Sequence, residues 1–336
     1  MATPPGNFAS LASVNPQVST TELLAQLVPP REFKNARFAT YVPDNGFPSQ
    51  AQAVETCTTF AHGGKGAGLF GKRVELPAGL YLDGGFGVGK THLLASIWHE
   101  FKGKKAFGSF LAFTGLIGVL GFANAVEQLK SFELICIDEF ELDDPGDTMM
   151  LSRLLSELDA KGVKFAATSN TPPNALGQGR FAAADFAREI SAMSSRFQMV
   201  TIDGEDYRHR PVDNTPTSVS EAALEKWANT LKASGEPVAI DDFDKLLSHL
   251  ATLHPSKYLQ LLKGVSGLAL FDVHELHDQV AALRFVALVD RMYESQFAIR
   301  NTGHSLTSVF SEEMLGGAYR KKYLRAVSRL GAMAAR

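Results

Sequence analysis

The sequence predicts an α/β protein built on a central parallel sheet flanked by helices, and three observations carry that prediction. Between Leu80 and Ile202, short apolar runs alternate with helix-like stretches. A glycine-rich loop follows the first run, and two later runs end in short polar side chains, Asp138–Glu139 and Thr168–Asn170. Strand and helix in strict turn cover both faces of one parallel sheet, and the carboxyl ends of its strands then share an edge where ligands gather.

The elements follow in order. A strand over Leu80–Leu82 enters the glycine loop, and a helix leaves it over Lys90–Phe101. A buried strand over 106–113 precedes a glycine-rich helix that ends near Lys130. Next come the strand Glu133–Ile137, a helix over Asp147–Lys161, the strand Val163–Thr168, a helix around Phe181–Ala192 and the strand Phe197–Ile202. Ahead of them, "RFATYVPDNGFPSQAQAV" from Arg37 has a proline-marked turn and then a helix starting near Ser49.

Proline usage sets the outer boundaries. Pro4, Pro5, Pro16, Pro29 and Pro30 make residues 1–36 read as a flexible lead-in around a short helix over Thr21–Leu27. The core then runs 37–210, and "PVDNTPTSVS" makes 211–220 a linker or insertion. Residues 221–336 read as a mainly helical, lid-like region with helices over 219–233, 241–252, 256–263 and Glu275–Tyr293 and short strands at Gly267–Phe271 and Gln296–Arg300. It closes on a basic helix, "YRKKYLRAVSRL".

Composition narrows the classes. The chain has 336 residues, 45% hydrophobic, with 33 Lys+Arg against 36 Asp+Glu for a formal charge of −3. That is an ordinary globular composition with room for about two domains. The near-neutral total gives no electrostatic case for wholesale binding to nucleic acid or acidic membranes. Cys57 and Cys136 are too few for a disulfide framework, and Met1–Pro16 lacks the charged head and apolar middle of a signal peptide, so a cytoplasmic setting is expected. The uncharged stretch Ala106–Val126 could span a bilayer by length, but its glycines and its place between two halves of one site favour a buried strand and helix. The apolar surface of that helix would then face a sheet or a partner chain, and membrane contact is not predicted.

The chemistry begins at "GGFGVGKT", which fits G-x-x-x-x-G-K-[ST] as Gly84, Gly89, Lys90 and Thr91. Glycines let the backbone of Gly84, Gly85, Phe86, Gly87, Val88 and Gly89 curl so that N–H groups and the following helix N-terminus, through His92, face phosphate oxygens. Lys90 would neutralise the β and γ phosphates of ATP, and the Thr91 hydroxyl would ligate Mg²⁺. In "ELICIDEF", Asp138 would complete the metal site and Glu139 would orient or deprotonate a hydrolytic water. In "VKFAATSN", Asn170 would sense the γ-phosphate or hold the attacking water. Cys136 reads as a small buried hydrophobe. His274 and His277 in "HELH" fall short of the metalloprotease pattern, which needs His at its fifth position where this chain has Asp278.

These strand ends resemble the AAA+ ATPases, making the core a P-loop NTPase of AAA+-like kind. "CIDEFELDDPGDTMMLSRLL", "GVKFAATSNTPPNALGQGRF", "IDGEDYRHR" and "YLRAVSRL" resemble the ZapE-type cell-division ATPases of bacteria, which have mitochondrial relatives in protein quality control. The DEF…D..D segment (Asp138, Glu139, Phe140, Asp144, Asp147) and the TSN-x-PP segment 168–173 carry the likeness over about Arg37–Leu330. The resemblance implies ATP hydrolysis coupled to the division ring built from FtsZ, and a homo-oligomer. It also carries over Arg180 as an arginine finger acting on a neighbouring subunit, with Arg196 as the alternative. Arg208, Arg210, Arg325 and Arg329 match family positions, and Arg284 is a further phosphate-sensor candidate. Residues Phe113–Ser131 depart from the resemblance, being short, glycine-rich and apolar where relatives carry longer charged helices.

Two other readings share the same loop. One is an ATP-gated binding module at the division site with slow hydrolysis. The other is a helicase-loader-like nucleic-acid ATPase, which the near-neutral charge disfavours and the basic C-terminal helix keeps in play.

Overall fold

The structure, a computed structural model, describes residues 8–63, 77–85, 87–140, 145–170, 197–205, 218–317 and 319–336. The described residues of Ser19–His209 form one compact unit, and those of Met1–Val18 and Arg210–Arg336 form another.

The first unit holds strands β1 (Gly79–Gly84), β2 (Lys105–Ser109), β3 (Leu134–Asp138), β4 (Lys164–Ser169) and β5 (Phe197–Ile202). All pair in parallel in the order β2-β3-β4-β1-β5. Its helices are α1 (Thr20–Ala25), α2 (Pro48–Ala61), α3 (Lys90–Glu100), α4 (Phe110–Leu120), α5 (Phe122–Leu129) and α6 (Pro145–Asp159). The central strands are apolar on both sides because alternate residues serve opposite faces. Leu80 and Leu82 join Cys136, Ala166 and the α2 and α3 residues Cys57, Leu93 and Ile97 in one core. Tyr81 meets Phe140 and Phe197 edge-on, with ring centroids 6.1 and 6.0 Å away.

Two boundaries differ from the sequence reading. The strand expected over 106–113 stops at Ser109, whose side chain accepts the Ala112 N–H and starts α4 at Phe110. The single helix expected to follow is broken at Gly121, where φ is 76°, and α4 and α5 meet at a bend of 119°. Among the described residues no single helix is long and apolar enough to cross a membrane; the bent pair over Ala112–Leu120 and Phe122–Leu129 passes by length and composition only when taken together.

The second unit adds β6 (Val238–Asp242), β7 (Gly267–Val273) and β8 (Ala298–Gly303), parallel in that order, with α7 (Glu221–Ala233), α8 (Phe243–Thr252), α9 (Tyr258–Leu261), α10 (Gln279–Glu294), α11 (Glu312–Gly316) and α12 (Arg320–Ala334). It is mainly helical and carries short strands, as expected. The strand β6 was not read from the sequence, because its apolar run is only Val238–Ile240.

Residues 8–36 differ from the flexible lead-in expected for 1–36. Ala9 forms a parallel bridge with Ala239 and accepts the Ile240 N–H at 2.8 Å, while Leu11 is 1% exposed in the core of the second unit. Leu27 accepts the Phe107 N–H at 2.9 Å on the outer edge of β2. Each sheet leaves an unpaired backbone edge, and these segments cover one edge of each. The expected linker 211–220 lies outside the described residues up to 217.

Candidate nucleotide site

The carboxyl ends of β1, β3 and β4 build the site. With β4 lying between β1 and β3, the loop after β1, the acids after β3 and the tip of β4 share one edge. Gly84 and Gly85 present carbonyls to Lys90, whose Nζ donates to them and, at 2.9 Å, to Asn170 Oδ1. Three ammonium donors on three oxygens keep this buried cation, 8% exposed, solvated by the protein. Gly87 and Gly89 turn the loop with φ of 73° and 88°, a left-handed backbone that L side chains adopt only under strain. Phe86 lies outside the described residues.

Thr91 is the second residue of α3, and its hydroxyl donates to Asp138 Oδ1 at 3.1 Å. Thr168, fully buried on β4, donates to the same oxygen at 2.5 Å and accepts the Glu139 N–H at 3.0 Å. The Phe140 N–H donates to the Thr168 carbonyl at 2.7 Å, so one β4 residue locks the turn after β3. Glu139 takes φ of 52°, a region that costs a non-glycine residue about 1–2 kcal/mol and is concentrated at functional sites. Burial, joined by the Glu139 charge, pushes the Asp138 carboxyl up to about 6 against the opposing hydrogen bonds from Thr168 and Thr91. The hydroxyl of Thr91 beside the Asp138 carboxylate is a hard-oxygen donor pair of the kind magnesium takes.

Thr168 closed the strand in the sequence reading without a role, and its bond to Asp138 is visible only once β3 and β4 are paired. Asp83 was also missed. At the end of β1, its carboxyl is raised chiefly by burial, against the Gly84 N–H and the Lys90 charge, with Asp203 raising it further. The signal was available, since Asp83 directly precedes the loop.

The His92 ring faces Thr40 Oγ1 at 3.0 Å and the Arg37 carbonyl at 3.1 Å, while its place in the first turn of α3 is the one expected for the phosphate cradle. Arg180, Arg196, Arg208 and Arg210 lie outside the described residues, as does Asp144. Three other arginines are taken up within the second unit. Arg284 donates to the Leu250 and Leu253 carbonyls at 2.7 and 3.0 Å, satisfying the end of α8. Arg325 and Arg329 both bind Asp290. His274 Nε2 meets Asp244 Oδ1 at 2.8 Å and its Nδ1 meets the Glu275 carbonyl at 3.0 Å.

A parallel sheet with this strand order, a glycine loop entering a helix behind Lys90, and an acid pair across β4 define a P-loop NTPase of the AAA+-like class. Within that class the chain belongs to the AFG1-like ATPase family, whose family model matches residues 17–336. It is 28% identical over 288 residues to the cell division protein ZapE of Escherichia coli K12, covering 73% of this chain and 76% of that one. It is 30% identical over 158 residues to lactation elevated protein 1 homolog B of Danio rerio, covering 40% of this chain and 31% of the relative. A solved structure of the replication initiator DnaA bound to AMPPCP and single-stranded DNA aligns with a TM-score of 0.41 at 15% identity, over 60% of this chain and 56% of that one. A likeness at that level carries no functional weight.

Proposed function

We propose that the chain hydrolyses ATP to ADP and phosphate, with magnesium, and does so as a homo-oligomer. The observation that carries the reading is the convergence of Lys90, Asn170, Thr91 and Asp138 at one sheet edge, with Glu139 turned out of the strand beside them. Lys90 exchanges the Gly84 and Gly85 carbonyls for phosphate oxygens. Thr91 and Asp138 would hold magnesium, which would supply positive charge to the phosphates of the bound nucleotide. Glu139 takes the proton of a water that attacks the γ-phosphorus as the bond to the β-phosphate oxygen breaks. Asn170 holds that water or the γ-phosphate while hydrogen-bonded to Lys90.

The reading extends to a partner. A relative over most of the chain is named a cell division protein, and the sequence resemblance points the same way, so we place the action on the FtsZ ring in a cytoplasmic setting. Arg180 serves as the finger to a neighbouring subunit. A nucleic-acid role is the weaker alternative, because Asp290 neutralises part of the basic charge of α12 through Arg325 and Arg329.

Steady-state phosphate release with and without FtsZ filaments tests the reading. Lys90→Ala and Asp138→Asn are expected to abolish magnesium-dependent release, and wild-type rates in either would overturn the site. Glu139→Gln is expected to bind ATP and stall; cells that divide normally with it would favour the ATP-gated binding module. Mixing Arg180→Ala with Lys90→Ala chains is expected to restore partial activity, and no rescue would remove the finger.

A further inference from the structure

The segment ahead of α2 grips the phosphate loop from the side. The Tyr41 hydroxyl donates to the Val88 carbonyl at 2.8 Å. Its ring lies so close to Gly89 that a Cβ there would stand 2.5 Å from Cε2. The same ring meets His92 edge-on, with centroids 5.8 Å apart at 61°. Tyr41 is itself held from behind. The Phe38 N–H donates to Glu100 Oε1 at 3.2 Å, Phe38 is buried, and Thr40 meets His92 at 3.0 Å. The turn Phe38–Thr40 is therefore tied to both ends of α3, the helix that carries Lys90 and Thr91.

The consequence follows from peptide geometry. Among the described residues every peptide bond is trans, and in a trans peptide the C=O and the N–H point to opposite sides. Drawing the Val88 carbonyl toward Tyr41 turns the Gly89 N–H away from it. A peptide followed by glycine rotates cheaply, because Gly89 has no Cβ to resist a change of φ, so an external bond is what selects one orientation. We propose that Tyr41 is a positioning residue for nucleotide: its hydroxyl fixes the Val88–Gly89 peptide so that the Gly89 N–H is presented to the phosphates of ATP and ADP. This rests on the ATPase reading and adds to it a residue outside the glycine loop. It also accounts for glycine at 89 twice, through its φ and through the space the Tyr41 ring occupies.

Tyr41→Phe keeps the ring and removes only the hydroxyl. Calorimetric titration with ADP is expected to show binding about three- to tenfold weaker than wild type, the range of one hydrogen bond. The KM for ATP is expected to rise by the same factor with kcat held within about twofold, because the contact is made in ground and transition states alike. The ligand-free melting temperature is expected to fall by no more than a few degrees, since the bond to Val88 is made without nucleotide as well. Wild-type ADP affinity in Tyr41→Phe overturns the proposal, and so does a lowered ligand-free melting temperature with the affinity of the folded protein unchanged. Lys90→Ala separates the two readings. If the wild type takes up no ADP, the ATPase reading fails; if it does and Lys90→Ala does not, while Tyr41→Phe matches wild type, only the role of Tyr41 fails.

Discussion

Lys90 and Asn170 are joined by a 2.9 Å hydrogen bond that links the helix after β1 to the tip of β4. The ammonium is bonded to the Asn170 amide oxygen at that tip, so a change in what Lys90 binds is felt at Asn170. An Asn170→Ala chain removes that acceptor and leaves the Gly84 and Gly85 carbonyls in place. ADP affinity is expected to stay within a few-fold of wild type while phosphate release falls about 100-fold, the scale of losing one positioned polar group. Unchanged turnover would show that Asn170 only satisfies the lysine.

Thr168 is the residue through which β4 controls both acids. A Thr168→Val chain keeps the shape and deletes the donor to Asp138 and the acceptor for the Glu139 N–H. Leaving buried groups unsatisfied costs about 1–3 kcal/mol, which denaturant titration would register. Magnesium-dependent phosphate release is expected to fall as well, since the Glu139 turn loses its anchor. Lowered stability with wild-type turnover would confine Thr168 to a structural part.

How much of this was legible depends on the range of each signal. The loop from Gly84 to Thr91, the acids after Cys136 and the polar tip at Asn170 are each local, and the parallel topology that joins them follows from strand and helix alternation. The partners of the arginines are not local. Arg284 reads as a phosphate-sensor candidate on a helix, and its bonds to the end of α8 show only once the two helices are packed. Arg325 and Arg329 read as a basic face until α10 brings Asp290 between them. The grip of Tyr41 on Val88 spans a stretch that includes a whole helix, and no periodicity in the sequence encodes it.

Asp290 makes the second unit sensitive to acid. Burial alone would raise its carboxyl, but the Arg325 and Arg329 guanidinium groups outweigh that and hold it below the ordinary carboxylate value. A group with a depressed folded value stabilises above its unfolded value, about 3.9, and loses that contribution as pH falls through the folded one. Asp290→Asn is expected to cost about 3 kcal/mol at neutral pH by stranding two half-buried cations. It should also flatten the loss of stability in the acid range, read from urea midpoints across pH. The same acid slope in both chains would place the titration elsewhere.

The N-terminal segment should behave as part of the second unit. Asp241 accepts the Ser10 hydroxyl at 2.6 Å and the Leu11 and Ala12 N–H groups at 2.8 and 3.1 Å, fixing the turn that drives Leu11 into the core. Leu11 packs with Phe243, Leu246 and Leu250, so Leu11→Ala trades a filled position for a cavity at about 3 kcal/mol. Asp241→Ala removes the anchor without opening the core, and leaves the Leu11 N–H without its partner. Hydrogen exchange is therefore expected to speed up at Leu11, Ala12 and Ile240 in Asp241→Ala, since the Ile240 N–H is held by the Ala9 carbonyl. Amides over α3 are expected to keep wild-type protection, because they belong to the other unit. Unchanged exchange at Ile240 would mean that Ala9 stays on the edge of β6 without the Asp241 anchor.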